Sequence, residues 1–257
     1  MVIAIIDGIA GLSLAMNLHD RGIAARVFER APEIRELGVG ITLLPDAMRE
    51  FAALGLRDQL VPAGVVIRES CFFNRFGQLI YREERGQHAG YDYPEVSIHR
   101  GRLRTILYRA ALARLGAEAI RTDHECIRVE QDDAGATVYF RAFSSGSTLE
   151  PARADAVIAC DGINSILRKQ FYPKDDIAFA GITTWRGITR RKPFLTGKTY
   201  TRIGSILTGK MVIYPIIDNV DGDGNQLINW MAEIKREKND WNQQSRGLLP
   251  DLSGLAL

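Results

Sequence analysis

The sequence is poor in cysteine. There are three in 257 residues, Cys71, Cys126 and Cys160, odd in number, widely spaced and without a CxxC pair. That argues against a disulfide framework and a thiolate metal site, and a reducing, cytosolic compartment fits best. Histidine is scarce as well. His19, His88, His99 and His124 share no ligand spacing, so no metal is expected. No apolar run is long enough to span a bilayer. The amino terminus runs straight into a strand pattern without a basic segment or a small-residue cleavage site, so no signal peptide is expected. Neither sign of charge is in excess: 33 Lys plus Arg stand against 31 Asp plus Glu, a formal net charge of +2. Nothing in that balance calls for nucleic acid or a membrane surface as partner. Repeats and low-complexity segments are also lacking. What is present, 46% apolar and 25% charged residues, is the composition of a globular chain large enough for one big domain or two interleaved ones.

Val2-Ile3-Ala4-Ile5-Ile6 is a continuous apolar run, the signature of a buried parallel strand. Asp7-Gly8-Ile9-Ala10-Gly11 reads as a turn into a helix that runs to about Arg21, with Gly22 as its stop. Residues 25–29 read as a second strand, completing a β-α-β unit. Helical spacing recurs over 45–54 and 102–115, closed by Gly55 and Gly116. Strand signals at 126–130, 136–143 and 148–153 form a meander. A buried strand over 156–160 then precedes Asp161-Gly162. Beyond Gly181 the texture changes to strand-like stretches at 182–189, 211–217 and 227–234, joined by Gly- and Asp-rich turns and read as an antiparallel sheet. The turn over 219–224 has a superficial likeness to a calcium loop, but its twelfth position is Trp230 rather than Glu, and a hairpin turn is the better reading.

Gly8 and Gly11 match the last two glycines of GxGxxG, between a strand and a helix. Glycine there lets backbone approach a pyrophosphate at the positive end of the helix. Glu29 ends the second strand eighteen residues after Gly11, where an acid would accept hydrogen bonds from an adenosine ribose. The plain alternative is a glycine turn plus a surface Glu. One position departs from the pattern: Ile6 stands where the first glycine belongs and Asp7 where a small neutral residue belongs. A carboxylate about 5 Å from a pyrophosphate charge would oppose it by roughly 3 kcal/mol at an effective dielectric of about 20.

Together with further motifs, these features resemble the FAD-dependent aromatic hydroxylases, the p-hydroxybenzoate hydroxylase-like monooxygenases. The other carriers are Glu33-Ile34-Arg35-Glu36-Leu37-Gly38-Val39-Gly40-Ile41, Ser97-Ile98-His99-Arg100, and Asp161-Gly162-Ile163-Asn164-Ser165 with Arg168. The likeness covers nearly all of the chain. Within the family it narrows toward phenazine hydroxylases through Tyr93-Pro94, Trp185-Arg186-Gly187, 194–199, Tyr214-Pro215-Ile216 and Asn229-Trp230, although salicylate-type hydroxylases share much of this. The fold it implies is α/β, a Rossmann-like FAD-binding domain with an interleaved β-sheet substrate domain. Residues 1–180 would be the FAD-binding domain, with a β-meander near 119–154 and part of the substrate layer near 65–95. Residues 181–257 would be the antiparallel-sheet substrate domain. The family's second FAD motif, a Gly-Asp followed by Ala-His-Pro, does not occur in these 257 residues, so the C-terminal FAD segment is expected to be missing.

The resemblance assigns FAD contact to Gly8, Ala10, Gly11, Glu29, Arg30, Val39, Gly40, Arg100, Cys126 and Asp161. Read from the residues alone, Arg100 at a strand end can pair bidentately with phosphate or form a surface ion pair. Asp161 can serve the cofactor or cap the helix starting near Ser165. Arg35 is a phosphate contact or a solvated charge. Trp185 and Tyr214 are the candidate substrate walls, with Trp185 expected on a strand facing the flavin. No catalytic base is identified, because the cofactor carries the chemistry. The implied activity is hydroxylation of a small aromatic substrate, phenazine- or salicylate-like, with NADH or NADPH as transient co-substrate and oxygen. Two alternatives stay open: a flavin-dependent reductase that does not use oxygen, and a non-catalytic remnant. Whether the chain forms a homodimer also stays open.

Overall fold

The computed structural model describes residues 1–6, 8–34, 36 and 38–237. The chain opens with β1 (Val2–Ile6), α1 (Ile9–His19) and β2 (Ala24–Phe28). β3 (Gly40–Leu43), α2 (Pro45–Ala53), α3 (Arg57–Ala63) and β4 (Val65–Ile67) follow. β5 (Glu69–Phe73), β6 (Leu79–Glu84) and β7 (Glu95–His99) lead into the long helix α4 (Arg100–Leu115). Next come β8 (Ile120–Arg121), β9 (His124–Asp132), β10 (Gly135–Ala142), β11 (Thr148–Ala154), β12 (Ala156–Ala159) and α5 (Ile166–Phe171). The described chain closes with β13 (Ile182–Arg191), β14 (Thr199–Ser205), β15 (Gly209–Ile217) and β16 (Gln226–Lys235).

β1 is central in a parallel sheet of order β12-β1-β2-β8. Its alternation explains how one apolar run serves two cores. Ile3 and Ile5 point into the larger core with Leu12 and Met16 of α1 and Leu103 and Leu107 of α4. Ala4 and Ile6 point the other way, into a second core with Phe28, Val138 and Phe140. There the rings of Phe28 and Phe140 stack with centroids 4.4 Å apart. That second core lies under the antiparallel meander β11-β10-β9. The chain leaves β1 toward β2 on one side and returns to β12 on the other, so the order reverses at β1. The carboxyl ends of the strands at such a reversal form a crevice suited to a ligand.

The remaining strands form two sheets. One has the order β3-β7-β4; the other has six strands in the order β13-β16-β15-β14-β5-β6. The larger is antiparallel except where β14 runs parallel to β5. β5 and β6 come from the first third of the chain, so the large sheet is interleaved with the Rossmann-like part. The architecture is the α/β class expected from the sequence. Among the described residues no helix is long and apolar enough to cross a membrane.

Two details differ from the sequence reading. α4 begins at Arg100 rather than 102, which places Arg100 at the helix start. β14 was not anticipated. Its most buried positions are Thr199 and Thr201, and the Thr199 hydroxyl donates to Glu69 Oε1 at 2.7 Å. A strand with threonine on its buried face lacks the apolar signal by which strands are recognised.

Candidate cofactor cleft and the sheet that faces it

Gly8 is the N-cap of α1, with φ 155°. A Cβ there would sit 2.7 Å from the Cys160 carbonyl oxygen at the end of β12. Only glycine fits, and the backbone at the helix start is left bare to the crevice. Around this point the structure forms a cleft of about 410 Å³ at the carboxyl ends of β1, β2 and β12. Gly8, Glu29, Arg30, Arg100, Cys126 and Asp161, all singled out from the sequence, line it together.

Each of these side chains is positioned by its neighbours. Glu29 is 7% exposed. Its Oε1 accepts from the Ala31 backbone N–H at 2.5 Å, and its Oε2 is paired with Arg104. Arg104 also lines the cleft and was missed in the sequence reading. The available signal was its spacing: it follows Arg100 by four residues, on the same face of α4. The Arg100 backbone N–H donates to the Val39 carbonyl at 3.0 Å, tying the 38–40 loop to the start of α4. His99 helps, its Nε2 lying 3.1 Å from the Gly38 carbonyl. The Arg100 guanidinium is exposed and makes no hydrogen bond or ion pair among the described residues. Arg30 lies 4.8 Å above the Phe143 ring and 3.9 Å from Glu125. Asp161 Oδ2 accepts from the Ile166 backbone N–H at 3.0 Å, so the capping role foreseen for it is present, while the residue also borders the cleft. Burial, aided by nearby Asp161, pushes the Cys126 thiol up to about 12 and raises that of Cys160, so both remain protonated.

Other candidates fall outside the cleft. Ala10 borders a larger neighbouring cavity beside β12 and the meander. Gly11 is buried within α1. Val39 contributes its carbonyl to the loop tie, and Asp7 and Arg35 lie outside the described residues. Gly40 marks a different junction. Its N–H donates to Asn229 Oδ1 at 2.7 Å, and a Cβ there would meet Ile216, Asn229 and Tyr214 at 2.7–2.8 Å. β3 thus touches the six-stranded sheet through a position with no room for a side chain.

Register decides which sheet residues share that face. Tyr214 pairs with Asn229, and Asn229 with Ile188. Alternation then puts Arg186 and Ile188 on the Tyr214 face, and Trp185 on the opposite face with Ile213 and Trp230. The two candidate walls, Trp185 and Tyr214, therefore lie on opposite faces of the sheet, and Arg186 and Ile188 share the Tyr214 face. Tyr214 stacks on Tyr200, centroids 4.7 Å apart and planes 11° from parallel. Burial is the main cause that pushes the Tyr214 phenol up to about 12, with Tyr200 adding to it and Arg186 opposing. Arg202 lies 4.6 Å from the rings of both Tyr200 and Phe72 and donates to Ser70 Oγ at 2.6 Å.

Residues 2–197 match the FAD binding domain family. The chain belongs to this family. Phenazine 1,6-dicarboxylic acid hydroxylase PhzS of Lysobacter antibioticus is 32% identical over 93% of this chain and 59% of its own length. 3-Amino-4-hydroxybenzoate 2-monooxygenase of Streptomyces cremeus is 36% identical over 70% of the chain and 44% of its own length. Klebsiella pneumoniae HpxO, solved with FAD and uric acid, shares the fold with a TM-score of 0.70 at 21% identity, over 96% of this chain and 59% of its own. The chain thus spans less than two thirds of the length of these relatives. The cleft suits the adenosine and pyrophosphate half of FAD: bare backbone at Gly8, a buried acid at the end of β2 and two arginines from α4.

Proposed function

We propose that the protein serves an FAD-dependent monooxygenase that hydroxylates a small aromatic substrate with NAD(P)H and oxygen. The observation that carries the reading is the single cleft that gathers Gly8, Glu29, Arg100 and Asp161 from four separate segments. In it the Glu29 carboxylate accepts hydrogen bonds from the ribose hydroxyls, and Arg104 holds that carboxylate in place. Arg100 neutralises the pyrophosphate, and the N–H groups at the start of α1 donate to it. Bound FAD would supply the hydride-accepting and oxygen-activating chemistry. The Tyr214 face covers the aromatic substrate and excludes water, and the neutral Tyr214 phenol is available as a hydrogen-bond donor. On this reading residues 1–180 form the cofactor side, and 181–257, of which 238–257 lie outside the described residues, form the substrate side with part of 65–95. Phenazine carboxylates and hydroxybenzoates are the first substrates to try, because the relatives are named for them.

The test is the absorbance spectrum of the purified protein after addition of FAD, followed by NAD(P)H oxidation and oxygen uptake with each aromatic acid. Substrate-dependent oxygen uptake that yields hydroxylated product supports the hydroxylase. Flavin reduction without oxygen incorporation would make it a reductase, and absence of flavin binding would make it a remnant.

A further inference from the structure

We propose a second ligand site, on the face of the six-stranded sheet that points away from the cofactor cleft, for a small anionic aromatic molecule. β14 has two faces. Tyr200 and Arg202 share the face that meets Gly40, while Thr201 and Ile203 point the other way. On that far side lies a separate cavity of about 340 Å³, bordered by Phe73, Ile203, Phe194 and Leu195, with Thr201 and Arg191 as its polar members. The volume lies at the lower end of small-molecule pockets, roughly 300–1,000 Å³, and an apolar wall with a few convergent polar groups is their usual make-up.

Three independent features ask for a ligand. The first is the Thr201 hydroxyl, 3% exposed as a residue and without a hydrogen-bond partner among the described residues. Buried hydroxyls are normally paired, because leaving one unpaired costs its hydration. The second is Arg191. It is the middle of three consecutive cations. Arg190 pairs with Asp221 at 3.5 Å, and Lys192 donates to the Asp223 carbonyl. Arg191 makes no hydrogen bond or ion pair among the described residues and stands at the cavity. The third is Leu195, whose φ of 48° is a conformation L-residues with a branched side chain seldom adopt. It places an apolar side chain at the rim, where it is 57% exposed. A backbone held in that region is the kind of local strain found at ligand clamps. A flat apolar body between Phe73 and Phe194 and an anionic group for Arg191 would occupy the cavity, and a turn of the Thr201 side chain would bring its hydroxyl, now shielded from the cavity, onto an acceptor of the ligand.

The probe is naphthoate, titrated calorimetrically into the full chain, with naphthalenemethanol as the uncharged control. Binding at this cavity is read as the saturable naphthoate site that Arg191→Gln weakens, distinct from any binding at the proposed substrate face, and the control should bind it about tenfold more weakly, as a single charge-assisted bond implies. Arg191→Gln, an exposed position where folding is not at risk, should weaken naphthoate about tenfold and erase its advantage over the control. Thr201→Val should weaken both ligands severalfold. Saturating FAD should leave naphthoate affinity unchanged, since the two sites lie on opposite sides of the sheet. No saturable binding, affinity indifferent to Arg191→Gln, or competition with FAD would each overturn the proposal.

Discussion

The crevice at the ends of the parallel strands and the tyrosine face of the six-stranded sheet are built by different means. In the crevice, position is set by backbone and charge. Gly8 has no room for a Cβ, Glu29 is held between Ala31 and Arg104, and Arg100 is fixed through its own N–H to Val39. On the sheet, position is set by register and burial: Tyr214 stacks on Tyr200, and burial pushes its phenol up to about 12. A crevice of the first kind binds a charged, fixed shape; a face of the second kind accommodates related apolar shapes. The difference matches a cofactor common to a family and a substrate that varies within it.

The sharpest way to break the comparison is at Gly8. Gly8→Val forces a side chain into the Cys160 carbonyl and into a φ of 155°, a strain of about 1–3 kcal/mol before any clash. We expect flavin retention on gel filtration to be lost, with the near-ultraviolet signal of the tyrosine face preserved. Glu29→Ala comes next. It removes the proposed ribose acceptor and the carboxylate that pairs with Arg104. FAD affinity, read by fluorescence quenching, should fall about ten- to a hundredfold. An unchanged dissociation constant would remove Glu29 from the site.

Gly40→Ala tests the junction between the regions. Its Cβ would press on Ile216, Asn229 and Tyr214, and overpacking of this sort costs roughly 1–3 kcal/mol. The thermal midpoint should drop by several degrees. The smallest effect concerns pH. A phenol whose folded pKa is raised to about 12 from the ordinary 10 favours the protonated state on folding. Its contribution to stability is complete below about pH 10 and is lost as pH rises toward 12. Tyr214→Phe should therefore flatten the alkaline limb of stability between those values. A limb identical to that of the parent protein would show that Tyr214 is not the buried phenol that titrates.

What could be read from the sequence follows the same division. The crevice motif is local: strand, glycine, helix, strand and acid lie within thirty residues, and 156–162 supplies the other wall, so those elements were recognised nearly in place. Arg104 was not, because its role depends on a helix passing beside Glu29, a contact between residues 75 apart. On the large sheet, meaning lies in register between distant strands. A shift of one position reverses the face of every side chain, and for that reason the sequence did not show that Trp185 and Tyr214 lie on opposite faces or that Arg186 shares a face with Tyr214. β14 was missed because threonines, not apolar residues, fill its buried side.

The central claim is that the crevice alone recognises the adenosine and pyrophosphate half of FAD. Competition between ADP and FAD for the purified chain tests it most directly. The account predicts that ADP displaces FAD at a single site, and that Gly8→Val and Glu29→Ala weaken both ligands in parallel while Tyr214→Phe weakens neither. FAD binding that ADP does not displace, or that survives both crevice substitutions unchanged, would contradict it.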